Sequence, residues 1–153
     1  FPPGRPILDA MVELGRRIKT DFTYEIGATT ATTTPSMSFS LRRGVCQDFA
    51  HIMIAGLRGL GLPAAYVSGY LRTSHDAQRP RLEGADAMHA WVNVWCGAEI
   101  GWIGLDPTNA IAAGNDHVVL AIGRDYADVA PIDGVILASG GQHIDVAVSV
   151  IPC

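Results

Sequence analysis

The stretch RRGVCQDFAHIMIAGLRGLGLPAAYVSGY, Arg42 to Tyr70, decides how this chain is read. A glycine-bearing loop runs into Cys46, an almost wholly apolar segment follows, and Gly61 and Pro63 close it. This is the punctuation of a buried central helix from about Cys46 to Leu60. A structural cysteine would sit more naturally inside the apolar run. At the mouth of the helix, first-turn N–H groups point outward and can stabilise a thiolate, which makes Cys46 a candidate nucleophile. Gly56 in the helix interior costs about 1 kcal/mol relative to Ala, so a neighbouring element is expected to approach closely there.

Upstream, Ile7, Leu8, Met11, Val12 and Ile18 recur at helical spacing and predict a first amphipathic helix near 6–20. FTYEI, residues 22–26, is a short strand candidate. Residues 27–44, GATTATTTPSMSFSLRRG, then read as a long Thr/Ser-rich connection that delivers the chain to Cys46. Connections longer than about 12–15 residues without structure of their own are uncommon and often functional. Downstream the period changes to two. Segments 64–71, 89–96, 102–106, 117–123 and 143–150 are rich in β-branched or aromatic residues and bounded by turn formers, predicting an antiparallel sheet. The short, Gly-containing CGAEIG joins the second and third as a hairpin. Helices first and strands afterwards make the fold α+β, a central helix carrying Cys46 packed on the sheet, in a single domain.

Three polar residues stand at element edges where a core does not ask for them: Cys46, His89 opening a strand and Asp106 closing the next. Hairpin pairing brings His89 and Asp106 together. If that sheet edge meets the N-terminus of the central helix, nucleophile, base and orienting carboxylate coincide, the arrangement used for acyl transfer. An ordinary thiol, with pKa about 8.5, is only a few per cent ionised at pH 7, and a helix terminus contributes roughly 0.3–1 kcal/mol. A protonated histidine within about 4–6 Å supplies the rest, and a carboxylate behind it favours that imidazolium. Asp48 opposes this unless its side chain turns away from the sulfur. Asp106 also has a plainer reading as a turn former ahead of Pro107.

Composition narrows the alternatives. A net charge of −4 and scattered basic residues exclude a nucleic-acid footprint. Mean hydropathy is +0.22 without any apolar run near the roughly 18 residues of a membrane span, so a soluble protein without membrane contact is expected. Three cysteines cannot all pair within the chain and match no CxxC motif, favouring a thiol in a reducing, cytoplasmic setting. No histidine has a helical i,i+4 partner or a cysteine pair, so neither a metal nor another cofactor is expected. The start FPPGRP lacks an initiator Met, and a fragment of a longer chain is expected. Cys96 and Cys153 read as structural or incidental. Trp91, Trp95 and Trp102 read mostly as core, with Trp91 and Trp95 a candidate apolar wall for a substrate; Asp86 and Glu83, which flank the His89 block, are the one candidate acidic pocket for a lysine-like acceptor and have a plainer reading as solvated loop charges.

RRGVCQDFAH, SGY, GADAMHAWVNVWC and GWIGLDPTN closely resemble the bacterial transglutaminase-like proteins, a branch of the papain-like cysteine-enzyme superfamily. The resemblance covers nearly the whole chain. It implies a papain-like fold with nucleophile, base and orienting acid at Cys46, His89 and Asp106, and it places Asp125 and Tyr126 at the border of the cleft. Relatives often carry a β-rich domain ahead of this region, so residues 1–153 are expected to be the catalytic domain alone. The expected activity is thiol-dependent acyl transfer on a peptide or protein substrate, hydrolysis ahead of transamidation. A protein-glutamine transglutaminase and a noncatalytic peptide-binding or regulatory module are the alternatives. The Cys46 N–H is a natural oxyanion donor, with Tyr24 as a candidate second donor.

Overall fold

The computed structural model describes residues 2, 4–72, 82–83, 88–130 and 139–140. The strand expected at 143–150 and residues His75, Asp86, His143 and Cys153 lie outside them.

The first amphipathic pattern folds as α1, Ile7–Asp21, burying Ala10, Met11, Gly15 and Ile18 on one face. Gly15 lets it lie close to the sheet: a Cβ there would meet Leu105 Cδ2 at 3.2 Å. The strand candidate shortens to β1, Thr23–Tyr24, paired in parallel with β2, Arg43–Gly44. The connection between them is not without structure, as expected from its composition, but holds α2, Pro35–Leu41. Thr34 is its N-cap, its hydroxyl accepting the Met37 N–H at 3.3 Å, and Pro35 takes the first helical position, where its missing N–H costs nothing. Arg42 ends α2 in the left-handed conformation, φ 57°, with its guanidinium 4.7 Å from the Phe22 ring centroid and 4.1 Å from that of Phe39.

The central helix is α3, Cys46–Gly59. Phe49, Ala50, Met53, Ile54 and Leu57 bury one face against the sheet, and truncating the fully enclosed Met53 or Leu57 to Ala would cost about 2–5 kcal/mol. The opposite face departs from expectation. Gly56 is exposed and, among the described residues, nothing lies within 4 Å of where its Cβ would be, so no close neighbour there explains it. It borders an open groove with Leu14, Phe39 and Ile52.

Four expected strands appear as β3, Ala64–Leu71, β4, Met88–Trp95, β5, Trp102–Asp106, and β7, His117–Gly123; a short β6, Ile111–Ala112, was not legible beforehand. The order is β6-β5-β4-β3-β7 and every pairing is antiparallel. Period-two alternation on β4 sends Ala90, Val92 and Val94 into the core beneath α3. His89 and Trp91, at the alternate positions, are also buried. Trp95 and Trp102 instead pair with each other at 5.7 Å and are 37% and 51% exposed, so they are not core. Among the described residues, no helix is long and apolar enough to cross a membrane.

Candidate active site

Cys46 occupies the first position of α3, where its backbone N–H has no partner within the helix. Two residues on, the Asp48 carboxylate is 4% exposed and bound by the Val45 N–H at 2.8 Å, the Thr29 hydroxyl at 2.6 Å and the Ser38 hydroxyl at 2.7 Å. The charge that threatened the thiolate is thus tied to the helix entrance and to the preceding loop. It also explains Gly44, since a Cβ there would lie 2.5 Å from Asp48 Oδ2.

The β4–β5 hairpin, in register at Val92 and Leu105, brings His89 Nε2 to 2.8 Å from Asp106 Oδ2, both side chains fully buried. His89 Nδ1 is buried without a hydrogen-bond partner among the described residues. Cys46 Sγ lies 4.0 Å from the Met88 carbonyl oxygen, and His89, Met88 and Cys46 line the same cleft. Burial works against the His89 imidazolium, but the Asp106 hydrogen bond and the negative charges of Asp106 and Cys46 outweigh it and push this histidine from 6.5 up to about 9. Asp106 likewise resists burial: donors from His117, His89 and Asn109 and the His89 charge hold it well below the usual carboxylate range.

Asp106 carries out both of its readings at once. Oδ1 accepts the Thr108 and Asn109 N–H groups at 2.9 and 3.2 Å, forming the turn, while Oδ2 faces His89. The Asn109 side chain donates to the same Oδ2 at 2.8 Å and exchanges two hydrogen bonds with the Glu83 backbone. Glu83 itself pairs with Lys19 at 2.7 Å.

The cleft has a volume of about 310 Å³. Its apolar wall comes from Tyr24, Ile26, Tyr66, Met88 and Tyr126, not from Trp91 or Trp95. The strand alternation explains the miss: Trp91 is turned toward His117, at 5.1 Å edge to face, and Trp95 toward Trp102. Tyr24 borders Cys46 as its candidate role requires, and burial, reinforced by the charges of Cys46, Glu83 and Asp106, pushes its hydroxyl up to about 12. It is therefore a protonated donor at neutral pH. Tyr126 lines the cleft, whereas Asp125 turns its carboxylate onto the Ala127 N–H.

Residues 3–107 match the family model of the transglutaminase-like superfamily. The chain belongs to that superfamily. An uncharacterized protein of Mycobacterium tuberculosis strain H37Rv is 47% identical over 99% of this chain and 50% of its own length. The protein-glutamine gamma-glutamyltransferase of Pseudomonas aeruginosa is 35% identical over 60% of this chain and 14% of its own. A solved structure from Cytophaga hutchinsonii, named a "Putative Cysteine Protease", superposes with a TM-score of 0.66 at 31% identity, over 81% of this chain and 39% of that one. The chain spans about half the length of the mycobacterial relative it matches. The transglutaminase-like fold is therefore papain-like, and the family is one of thiol-dependent enzymes.

Two neighbours of Asp106 in this transglutaminase-like chain escaped the sequence reading. Asn109 lay in view in LDPTN, three residues from Asp106, the spacing of an Asx turn. His117 had no local signal, since it arrives on β7, yet its Nε2 is 3.4 Å from Asp106 Oδ2. The ligand atoms of His89, Asp106 and His117 lie within 4.8 Å of one another, a set a divalent cation could use. The fit is poor. Asp106 Oδ2 already faces two ring nitrogens and an amide donor, and Nδ1 of His117 accepts the Gly114 N–H at 3.3 Å, leaving the ring proton on Nε2.

Proposed function

We propose that the protein is an acyl-transfer enzyme acting on amide or peptide carbonyls, with Cys46 as nucleophile, His89 as acid and base, and Asp106 as the orienting carboxylate. The observation that carries this reading is the 2.8 Å contact between His89 Nε2 and Asp106, which leaves Nδ1, without a partner among the described residues, in the cleft that holds Cys46. Cys46 Sγ attacks the carbonyl carbon and its proton resides on His89. The tetrahedral oxyanion collects the Cys46 N–H and the Tyr24 hydroxyl. Its collapse breaks the C–N bond as His89 passes the proton to the leaving amine, giving an acyl-thioester. His89 then takes a proton from water, whose oxygen attacks the thioester; the C–S bond breaks, the acid leaves, and the sulfur departs as thiolate with that proton held on His89, as at the start of the cycle.

Hydrolysis is favoured over transamidation because the described residues lining the cleft include no carboxylate to receive a lysine-like amine. The likeness to a protein-glutamine gamma-glutamyltransferase supports transamidation as the second reading. The test is intact-mass detection of an acyl adduct after exposure to a mixed peptide and glutamine-donor library. An adduct mapped to Cys46, absent in Cys46→Ala and accumulating in neither His89→Ala nor the untreated protein, is expected. Absence of both adduct and turnover with every donor would instead favour a noncatalytic peptide-binding module.

A further inference from the structure

His117 begins β7, which pairs with β3 and not with β4 or β5 in the strand order β6-β5-β4-β3-β7. Its ring nevertheless reaches Asp106 on β5, with the side chain 3% exposed. Gly69 opens the way: a Cβ there would collide with the Val118 carbonyl and come 2.6 Å from Trp91 Cη2, so its absence lets the indole lie beside the imidazole. Both ring nitrogens are engaged. Nδ1 accepts the Gly114 N–H at 3.3 Å, which leaves Nε2 protonated and directed at Asp106 Oδ2, the oxygen that His89 uses.

We propose that His117 is a positioning residue for the acyl-transfer site, a second histidine that locks the Asp106 carboxylate in the orientation that fixes His89. Asp106 Oδ2 is then held by His117 and Asn109 through the whole cycle, including the steps in which His89 has given up its proton. Because that oxygen only accepts, His89 keeps its proton on Nε2 and presents a bare Nδ1 to the cleft. The inference rests on the reading of Cys46 and His89 above.

Two measurements test it. Side-chain ¹⁵N NMR of the whole chain at pH 8 should find His117 with its proton on Nε2 and Nδ1 unprotonated; a proton on Nδ1 would overturn the proposal whatever the enzyme does. The second uses iodoacetamide alkylation of Cys46 at pH 6, followed by peptide mapping with Cys96 as the internal reference. His117→Phe should slow Cys46 by about three- to tenfold, short of a full charged hydrogen bond because the contact is long. His117→Gln, which can place an amide N–H near the same point, should recover most of the rate. In an Asp106→Asn background, His117→Phe should change nothing further, since its effect runs through that carboxylate. An undiminished rate in His117→Phe, failure of Gln to recover it, or a full additional loss in the Asp106→Asn background would each sink the assignment. Failure of the underlying thiol reading has a different signature, wild-type Cys46 reacting no faster than Cys96.

Discussion

At the residue scale, one carboxylate resolves two readings that the sequence held apart. Asp106 is a turn former through Oδ1 and a histidine partner through Oδ2, so asking which it is has no single answer. The sign of its effect on His89 is testable through stability. His89 is raised from 6.5 to about 9 in the folded protein. A raised basic group binds its proton more tightly when folded, so its stabilisation is complete below about pH 6.5 and is lost as pH rises through 9. The melting temperature of the wild type should accordingly fall, relative to His89→Gln, between pH 6.5 and 9.5. Parallel curves for the two proteins across that range would contradict the charged pair. Cys96 provides the contrast for Cys46: it is buried against Met11 Sδ at 3.7 Å, and burial alone pushes its thiol up.

At the scale of elements, α3 and the loop ahead of it form one unit. Asp48, at the third position of the helix, reaches back to the Val45 N–H and forward in space to Thr29 and Ser38, so helix, α2 and loop share one buried charge. The DFAH segment of the helix displays Asp48, but its partners lie 19 and 10 residues upstream and no pattern links them. The cap of α2 is local, Thr34 followed by Pro35, but it stands in a Thr/Ser-rich run where the same residue types equally suit a loop. Gly44 tests the unit. Gly44→Ala should destabilise the fold by about 1–3 kcal/mol through overpacking against Asp48, read from denaturant melts. The same change in an Asp48→Gly background should cost less, since the Asp48 side-chain atoms within 3 Å of the new methyl are then gone. Equal losses in both backgrounds would place the strain elsewhere.

At the scale of the whole molecule, the helix layer and the antiparallel sheet meet at a cleft whose described walls are mostly aromatic and aliphatic and include no carboxylate. Such a wall offers an amine no counter-charge to hold it at high effective concentration beside the thioester. With a reactive glutaminyl or peptide donor and millimolar primary amine, product analysis should therefore show mainly free acid; a dominant amine adduct would move the reading to transamidation and leave the roles of the three residues intact. The positions of α1, α3, β3, β4, β5 and β7, the hairpin, and the choice of Cys46, His89 and Asp106 as candidates were determined by the sequence itself, because capping, periodicity and turn chemistry act between residues a few positions apart. What only the tertiary structure decided is how distant chain segments share a charge or a surface. Tyr66 in place of tryptophans at the cleft, Asp48 anchored by Thr29 and Ser38, and His117 against Asp106 all arise where strand order and burial bring side chains together. The reason is physical: a buried carboxylate must find donors wherever the packed chain places them, and that demand leaves no periodic trace along the sequence.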